Sequence, residues 1–155
     1  MADRMTFGDM AALFHSSFFA FEQAHGRITG TASRAILQQI VRVMPKILEK
    51  EGQPVINKSL TLEENMAHFR DYIHNEELIE NVNFENNDDM FNIEIKGCTV
   101  AKSGVHEILD PKKSTCPYAI VAAAMIFYLT GKNLTIEDSE FTKDGTKTLL
   151  KLHHY

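Results

Sequence analysis

Between Ala119 and Leu129 nearly every residue is apolar, the segment reading AIVAAAMIFYL. A helix without a polar stripe has no face to turn toward water, so the rest of the chain must enclose it. Its ends are marked in the sequence. Cys116-Pro117 opens it, because proline in a first helical turn gives up no hydrogen bond that the helix would have made. Gly131, just past Thr130, is placed to stop it in a left-handed cap. The run falls short of the ~20 apolar residues that cross a bilayer, so it predicts a buried core helix rather than a membrane span.

The flanking segments read as strands. Phe91, Ile93 and Ile95 alternate with polar neighbours, and Gly97-Cys98 closes that run. Residues 134–141 and 146–152 flank Lys143-Asp144-Gly145, where Asp-Gly is expected to supply the positive-φ residues of a tight hairpin. Strand, central helix and hairpin form one unit. Residues 78–84 alternate more weakly, and Glu85 to Asp89 is a polar cluster expected to turn the chain into the strand that starts at Met90.

Upstream the period changes to that of helices. Phe7, Met10, Phe14, Phe18 and Phe21 recur at spacings of three and four, with Thr6-x-x-Asp9 as a cap, Gly26 as a stop and Phe19 on a neighbouring face. This aromatic stripe is expected to face inward, as core or as the wall of a hydrophobic cavity. Ile36, Ile40, Met44, Ile47 and Leu48 trace a second helix, from about Thr31–Ser33 to Gly52, with Pro45 expected to bend it. Thr61-x-x-Glu64 is a capping box for a third, whose inner face is Leu62, Met66, Phe69 and Ile73 and which ends near Asn75. With no repeat and no Gly/Ser linker, residues 1–155 read as one domain, helical over 1–75 and strand-helix-hairpin over 76–155.

Composition excludes more than it assigns. The net charge of −5 with interspersed signs leaves no basic stripe for a phosphate backbone, so direct nucleic-acid binding is not expected. Residues 1–30 show no basic-then-apolar signal pattern, which predicts a cytoplasmic protein. Two cysteines in that setting are expected as thiols or ligands rather than a structural bridge.

One constellation bears on chemistry. Cys116 stands at a helix N-terminus, where the dipole favours a thiolate unless apolar burial overrides it. Cys98 ends a strand, and His106 lies between them. Two sulfurs and an imidazole suit a transition metal such as zinc or iron, with Cys98, His106 and Cys116 as candidate ligands; the same thiols suit a dithiol–disulfide switch. No G-x-S-x-G, H-E-x-x-H or phosphate-cradling loop is present, and no nucleophile is paired with a base, so no catalytic residue is assigned.

Cys116-Pro117-Tyr118 before a small-residue helix, then Thr130-Gly131-Lys132, an acidic strand from Ile136 to Phe141, and Asp144-Gly145-Thr146 before a last strand resemble the four-vinyl-reductase domain, a hydrocarbon-binding module. That family is related in fold to TRAPP trafficking-complex subunits and to haem-nitric-oxide sensor domains. The resemblance implies an α+β fold, with N-terminal helices and one buried central helix packed on a four-stranded antiparallel sheet, often dimeric, and it implies binding rather than catalysis. Some members hold zinc. Cys116 matches the first zinc position and Asp138 or Glu140 the acid, while the two other cysteine positions fall at about Phe141 and Leu149.

Two functions follow as expectations. The first is a binding or sensing module for a small hydrophobic ligand, acting through a homodimer or a partner, with a pocket formed by Phe14, Phe18, Phe21, Tyr118, Ala122 and Met125. The second is a metal- or thiol-based redox sensor centred on Cys98 and Cys116.

Overall fold

The computed structural model describes residues 7–29, 34–50, 56–75, 77–102, 104–110 and 114–154. In chain order the elements are α1 (Phe7–Thr29), α2 (Arg34–Lys50), α3 (Leu62–Asn75), β1 (Asn81–Asn87), β2 (Met90–Lys96), α4 (Thr99–Lys102), a 3-10 turn (Val105–Ile108), α5 (Pro117–Thr130), β3 (Asn133–Phe141) and β4 (Thr146–His153). The fold is α+β. Two hairpins supply the strands, and their inner members β2 and β4 pair antiparallel, giving the order β1-β2-β4-β3.

Alternation decides which face of the sheet is covered. Val82, Phe91, Ile93, Ile95, Leu134, Ile136, Leu150 and Leu152 are buried together beneath the helices. Their neighbours in sequence face the other way, and Glu94 lies within 3.3 and 3.6 Å of Lys96 and Lys147. Helix α5 lies at the centre of the helical layer, with α2 and α3 packed alongside. Ala119, Ala122, Ala123 and Ala124 are fully enclosed, and their small size lets neighbouring elements close on this helix. Cys116 is its N-cap residue, Pro117 its first residue, and Gly131 ends it at φ 69°, donating its N–H to the Phe127 carbonyl.

The capping box of α3 is formed. Thr61 N–H donates to Glu64 at 2.7 Å and Glu64 N–H donates to the Thr61 hydroxyl at 3.2 Å. Met66, Phe69 and Ile73 face inward from that helix as expected.

Several boundaries differ from the sequence reading. Helix α1 runs through Gly26 to Thr29, since a single glycine costs a helix only about 1 kcal/mol. Helix α2 keeps Pro45 inside it, as expected, but its buried residues include Leu37 and Val41, and Ile47 of the expected inner stripe is exposed. The first hairpin turns at Asp88-Asp89, with Asp88 at φ 54°, so Glu85 to Asn87 belong to β1. The expected cap Thr6, the start at Thr31–Ser33 and the stop at Gly52 lie outside the described residues.

The second hairpin also differs. Asp144 and Gly145 are not in the positive-φ region. The turn is held by Thr142, whose hydroxyl accepts from the N–H groups of Asp144 (3.3 Å) and Gly145 (2.9 Å). Glycine is needed at 145 for proximity: a Cβ there would lie 1.8 Å from the Ile95 carbonyl oxygen.

Candidate functional site at the N-terminal end of α5

The aromatic stripe of α1 does not face inward. Phe14 is 72% and Phe21 51% exposed, Phe18 is half-buried, and the core residue is Phe19 at 2%. Helix α1 is apolar on more than one face, and the face turned inward is the one bearing His15, Phe19 and Glu22 at spacings of four and three. Tyr118, Ala122 and Met125 are buried in α5. The six residues expected to form one pocket are therefore divided between solvent and core.

What α1 covers is polar. The His15 ring lies 5.0 Å, centroid to centroid, from that of Tyr118 in the first turn of α5. Phe19 meets Phe141 edge-on at 5.8 Å, and Phe141 meets His106 at 5.0 Å. Buried Glu22 accepts the Thr115 N–H at 3.1 Å, a carboxylate just ahead of the positive end of α5. The hairpin supports the same region from below: His106 Nδ1 is 3.0 Å from the Thr142 carbonyl, and Cys98 N–H donates to the Asp144 carbonyl at 2.9 Å.

Two other buried places satisfy their polar groups. Buried Asn65 donates to the carbonyls of Asn57, Leu60 and Thr61 and accepts the Asn57 N–H. The Ser139 and Thr148 hydroxyls pair at 3.0 Å. At the N-terminal end of α5 this rule fails. The hydroxyls of Ser114, Thr115, Tyr118 and Thr146 and the His15 Nε2 are shielded from solvent and have no protein partner of full hydrogen-bond geometry. Each such group costs about 1–3 kcal/mol if nothing else meets it.

The histidines, the tyrosine and the thiols here are shifted toward their neutral forms. Burial lowers the His15 pKa, with a smaller push from His106, and burial lowers that of His106 as well. Burial also raises Tyr118, with the neighbouring thiols adding to it, and raises Cys98. Cys116 is pushed up to about 11 by burial, with the Thr146 side chain opposing. Desolvation thus overrides the helix dipole at Cys116.

Cys98 and Cys116 are free thiols, both buried. Among the described residues no group of three or more His, Cys, Asp or Glu side chains is arranged to hold a metal ion, so Cys98, His106 and Cys116 are not assembled as a ligand set. The four clefts described lie elsewhere: about 210 Å³ between α3 and the β1–β2 hairpin, about 240 Å³ between α2 and β3, about 380 Å³ beside Pro45, Leu48 and Tyr128, and about 480 Å³ between the end of α3 and α4.

The family model described as "Putative rubredoxin C-terminal domain" matches residues 13–154. The chain belongs to that family. Its match spans α1 to β4 and so includes the whole polar cluster, whereas the sequence resemblance pointed to the four-vinyl-reductase domain. No curated protein matches the chain. Among solved structures it is similar to a crystal structure of a trafficking protein particle complex subunit 3 from Naegleria fowleri covalently bound to palmitic acid, with 11% identity, a TM-score of 0.43 and 96% of each chain covered. An overlap at that level transfers no site to this chain.

His15, Glu22, Ser114, Thr115 and Thr146 were missed in the sequence. One signal could have found the first two: polar residues at positions 15 and 22 share a helical face with Phe19, and a charged residue on an apolar face is the informative exception.

Proposed function

We propose that this domain binds or senses a small molecule, and that its ligand site lies between α1 and the first turn of α5. The observation that carries this reading is the group of buried, unpartnered polar atoms there, beside the edge-on pair of Phe19 and Phe141. A few polar groups in an apolar lining is the make-up of a small-molecule site. The hydrocarbon-binding character implied by the four-vinyl-reductase resemblance agrees with the aromatic part of this lining. Output runs through a partner or a second copy, for which α1 offers exposed Leu13, Phe14, Phe21 and Ile28.

The redox reading is the weaker one. Both thiols are buried and held protonated, the opposite of a reactive cysteine. The family description names rubredoxin, but a tetrahedral four-sulfur iron site needs more than the two cysteines in this sequence. We therefore assign the domain a binding role beside such a centre rather than the centre itself. Native mass spectrometry on protein purified under mild conditions tests the reading. A non-covalent mass of small-molecule size, released on denaturation, is expected. A bare chain from several expression conditions would defeat it.

A further inference from the structure

We propose that two copies of this chain pair through the outer face of α1, the two helices running antiparallel about a two-fold axis that passes beside Ala20. This deepens the output part of the binding reading by naming the partner, and it does not depend on where a ligand sits.

The seam combines a spacing with an exposure. Met10, Phe14, Ser17, Phe21, Ala24 and Ile28 follow one another at intervals of four and three, the repeat that keeps two helices in contact, and all six are exposed. None of them is charged. Glu22, the acid in this stretch, is turned inward and buried. Ser17, the polar member, already donates its hydroxyl to the Leu13 carbonyl at 2.9 Å, so covering it leaves no donor unmet.

The order of large and small residues selects the antiparallel arrangement. In that arrangement Met10 meets Ile28 of the second copy, Phe14 meets its Ala24, and Phe21 meets its Ser17. Each phenylalanine falls on a small residue, and the layers have similar widths. A parallel pair would stack Phe14 on Phe14 and Phe21 on Phe21, with gaps at Ser17 and Ala24 between them, and alternating crowded and empty layers cost packing energy. The antiparallel order also sets opposite helix dipole ends beside each other.

Area and charge favour a second copy over other occupants. Met10, Leu13, Phe14, Phe21 and Ile28 are 39%, 56%, 72%, 51% and 84% exposed. At about 150–250 Å² for a large side chain, they leave on the order of 600 Å² uncovered in each copy, the upper end for a patch on a monomer. Two such faces reach the ~1,000 Å² that a specific interface needs. A membrane-surface helix flanks its apolar face with Lys and Arg, whereas residues 10–29 hold Arg27 alone. Each copy carries a net charge of −5, and an uncharged face is where two of them meet with least repulsion.

Sedimentation equilibrium of the full chain is expected to give twice the chain mass at roughly 100 μM, with dissociation on dilution. Phe14→Glu and Phe21→Glu alter side chains exposed in the single copy, so each should keep its circular dichroism spectrum and weaken pairing about a hundredfold or more. Val43→Glu, the same charge at an exposed position of α2, should leave pairing unchanged. Orientation is read with a short bismaleimide, the parent with its buried Cys98 and Cys116 serving as the blank. Ala20→Cys should link to its own counterpart, while Ala24→Cys, displaced roughly 15 Å along the helix from its counterpart, should not. A monomer at that concentration overturns the proposal, as does a dimer that survives both glutamate substitutions. Linkage through Ala24→Cys and not through Ala20→Cys overturns it in favour of a parallel pair. The ligand reading fails separately: native mass spectrometry that shows dimers with no bound small molecule removes that reading and leaves the α1 seam standing.

Discussion

The two ends of α5 are built on opposite rules. Toward its C-terminal end, Ile126 is sealed among apolar neighbours, and Gly131 closes the helix with its N–H on the Phe127 carbonyl. At its N-terminal end the same helix meets hydroxyls, imidazoles, thiols and a carboxylate, several of them without partners. Hydrophobic burial and close packing stabilise the first end; unsatisfied polar groups destabilise the second. That cost is what a ligand at the proposed site would offset.

Ile126→Ala should give the largest effect. It removes a fully buried side chain from the apolar end and is expected to cost about 2–5 kcal/mol, read as a lower midpoint in urea with an unchanged slope. A loss below about 1 kcal/mol would mean that this end is no better packed than the other and would erase the contrast.

Gly145→Ala should come next, and it acts at the polar end. The new Cβ would press on the Ile95 carbonyl, forcing the β3–β4 turn away from β2 at an expected cost of about 1–3 kcal/mol. That turn holds both the His106 ring and the Cys98 N–H. Loss of stability should therefore be accompanied by faster reaction of Cys98 with a thiol reagent, measured by mass. Unchanged thiol protection in a destabilised variant would separate the turn from the site.

Removing a polar group sharpens the comparison most, because the sign reverses. Tyr118→Phe and Thr115→Val take away hydroxyls that have no partner, so each is expected to raise the stability of the ligand-free protein by about 1 kcal/mol, or to leave it unchanged. A loss of about 2 kcal/mol on Tyr118→Phe would show that the hydroxyl is satisfied in solution.

The apolar end was legible in the sequence and the polar end was not. An uninterrupted run such as 119–129 permits only burial, and Pro117 and Gly131 mark its limits by backbone constraints that act locally. Thr61 and Glu64 found each other for the same reason, across three residues. The face of α1 was misread because two stripes compete on that helix. Phe14, Phe18 and Phe21 are the more apolar, but His15 and Glu22 have polar counterparts near the start of α5, about a hundred residues away, and no local pattern reports them. Gly145 was given the right residue type for the wrong cause, since the close approach of the Ile95 carbonyl is visible only once β2 and β4 have paired. The cysteines were placed at the correct ends of their elements, yet their protonation depends on burial, which the run of residues around them does not fix.

The smallest expected effect is a slope with pH. His15 faces the Ala11 carbonyl on its own helix, His106 from the 3-10 turn and Tyr118 from α5. Burial holds the pKa values of His15 and His106 below the ordinary 6.5. The unfolded chain therefore takes up these protons first as pH falls. Stability from the two groups is complete above about 6.5, declines as the pH drops toward their native values, and levels off below them. His15→Gln should flatten part of this decline between pH 7 and 5 in urea unfolding, while the apolar end, represented by Ile126→Ala, should keep the parent's slope and only shift the curve down. If His15→Gln leaves the pH profile unchanged, the imidazole is not held neutral under α1, and the polar end is open to water rather than sealed for a ligand.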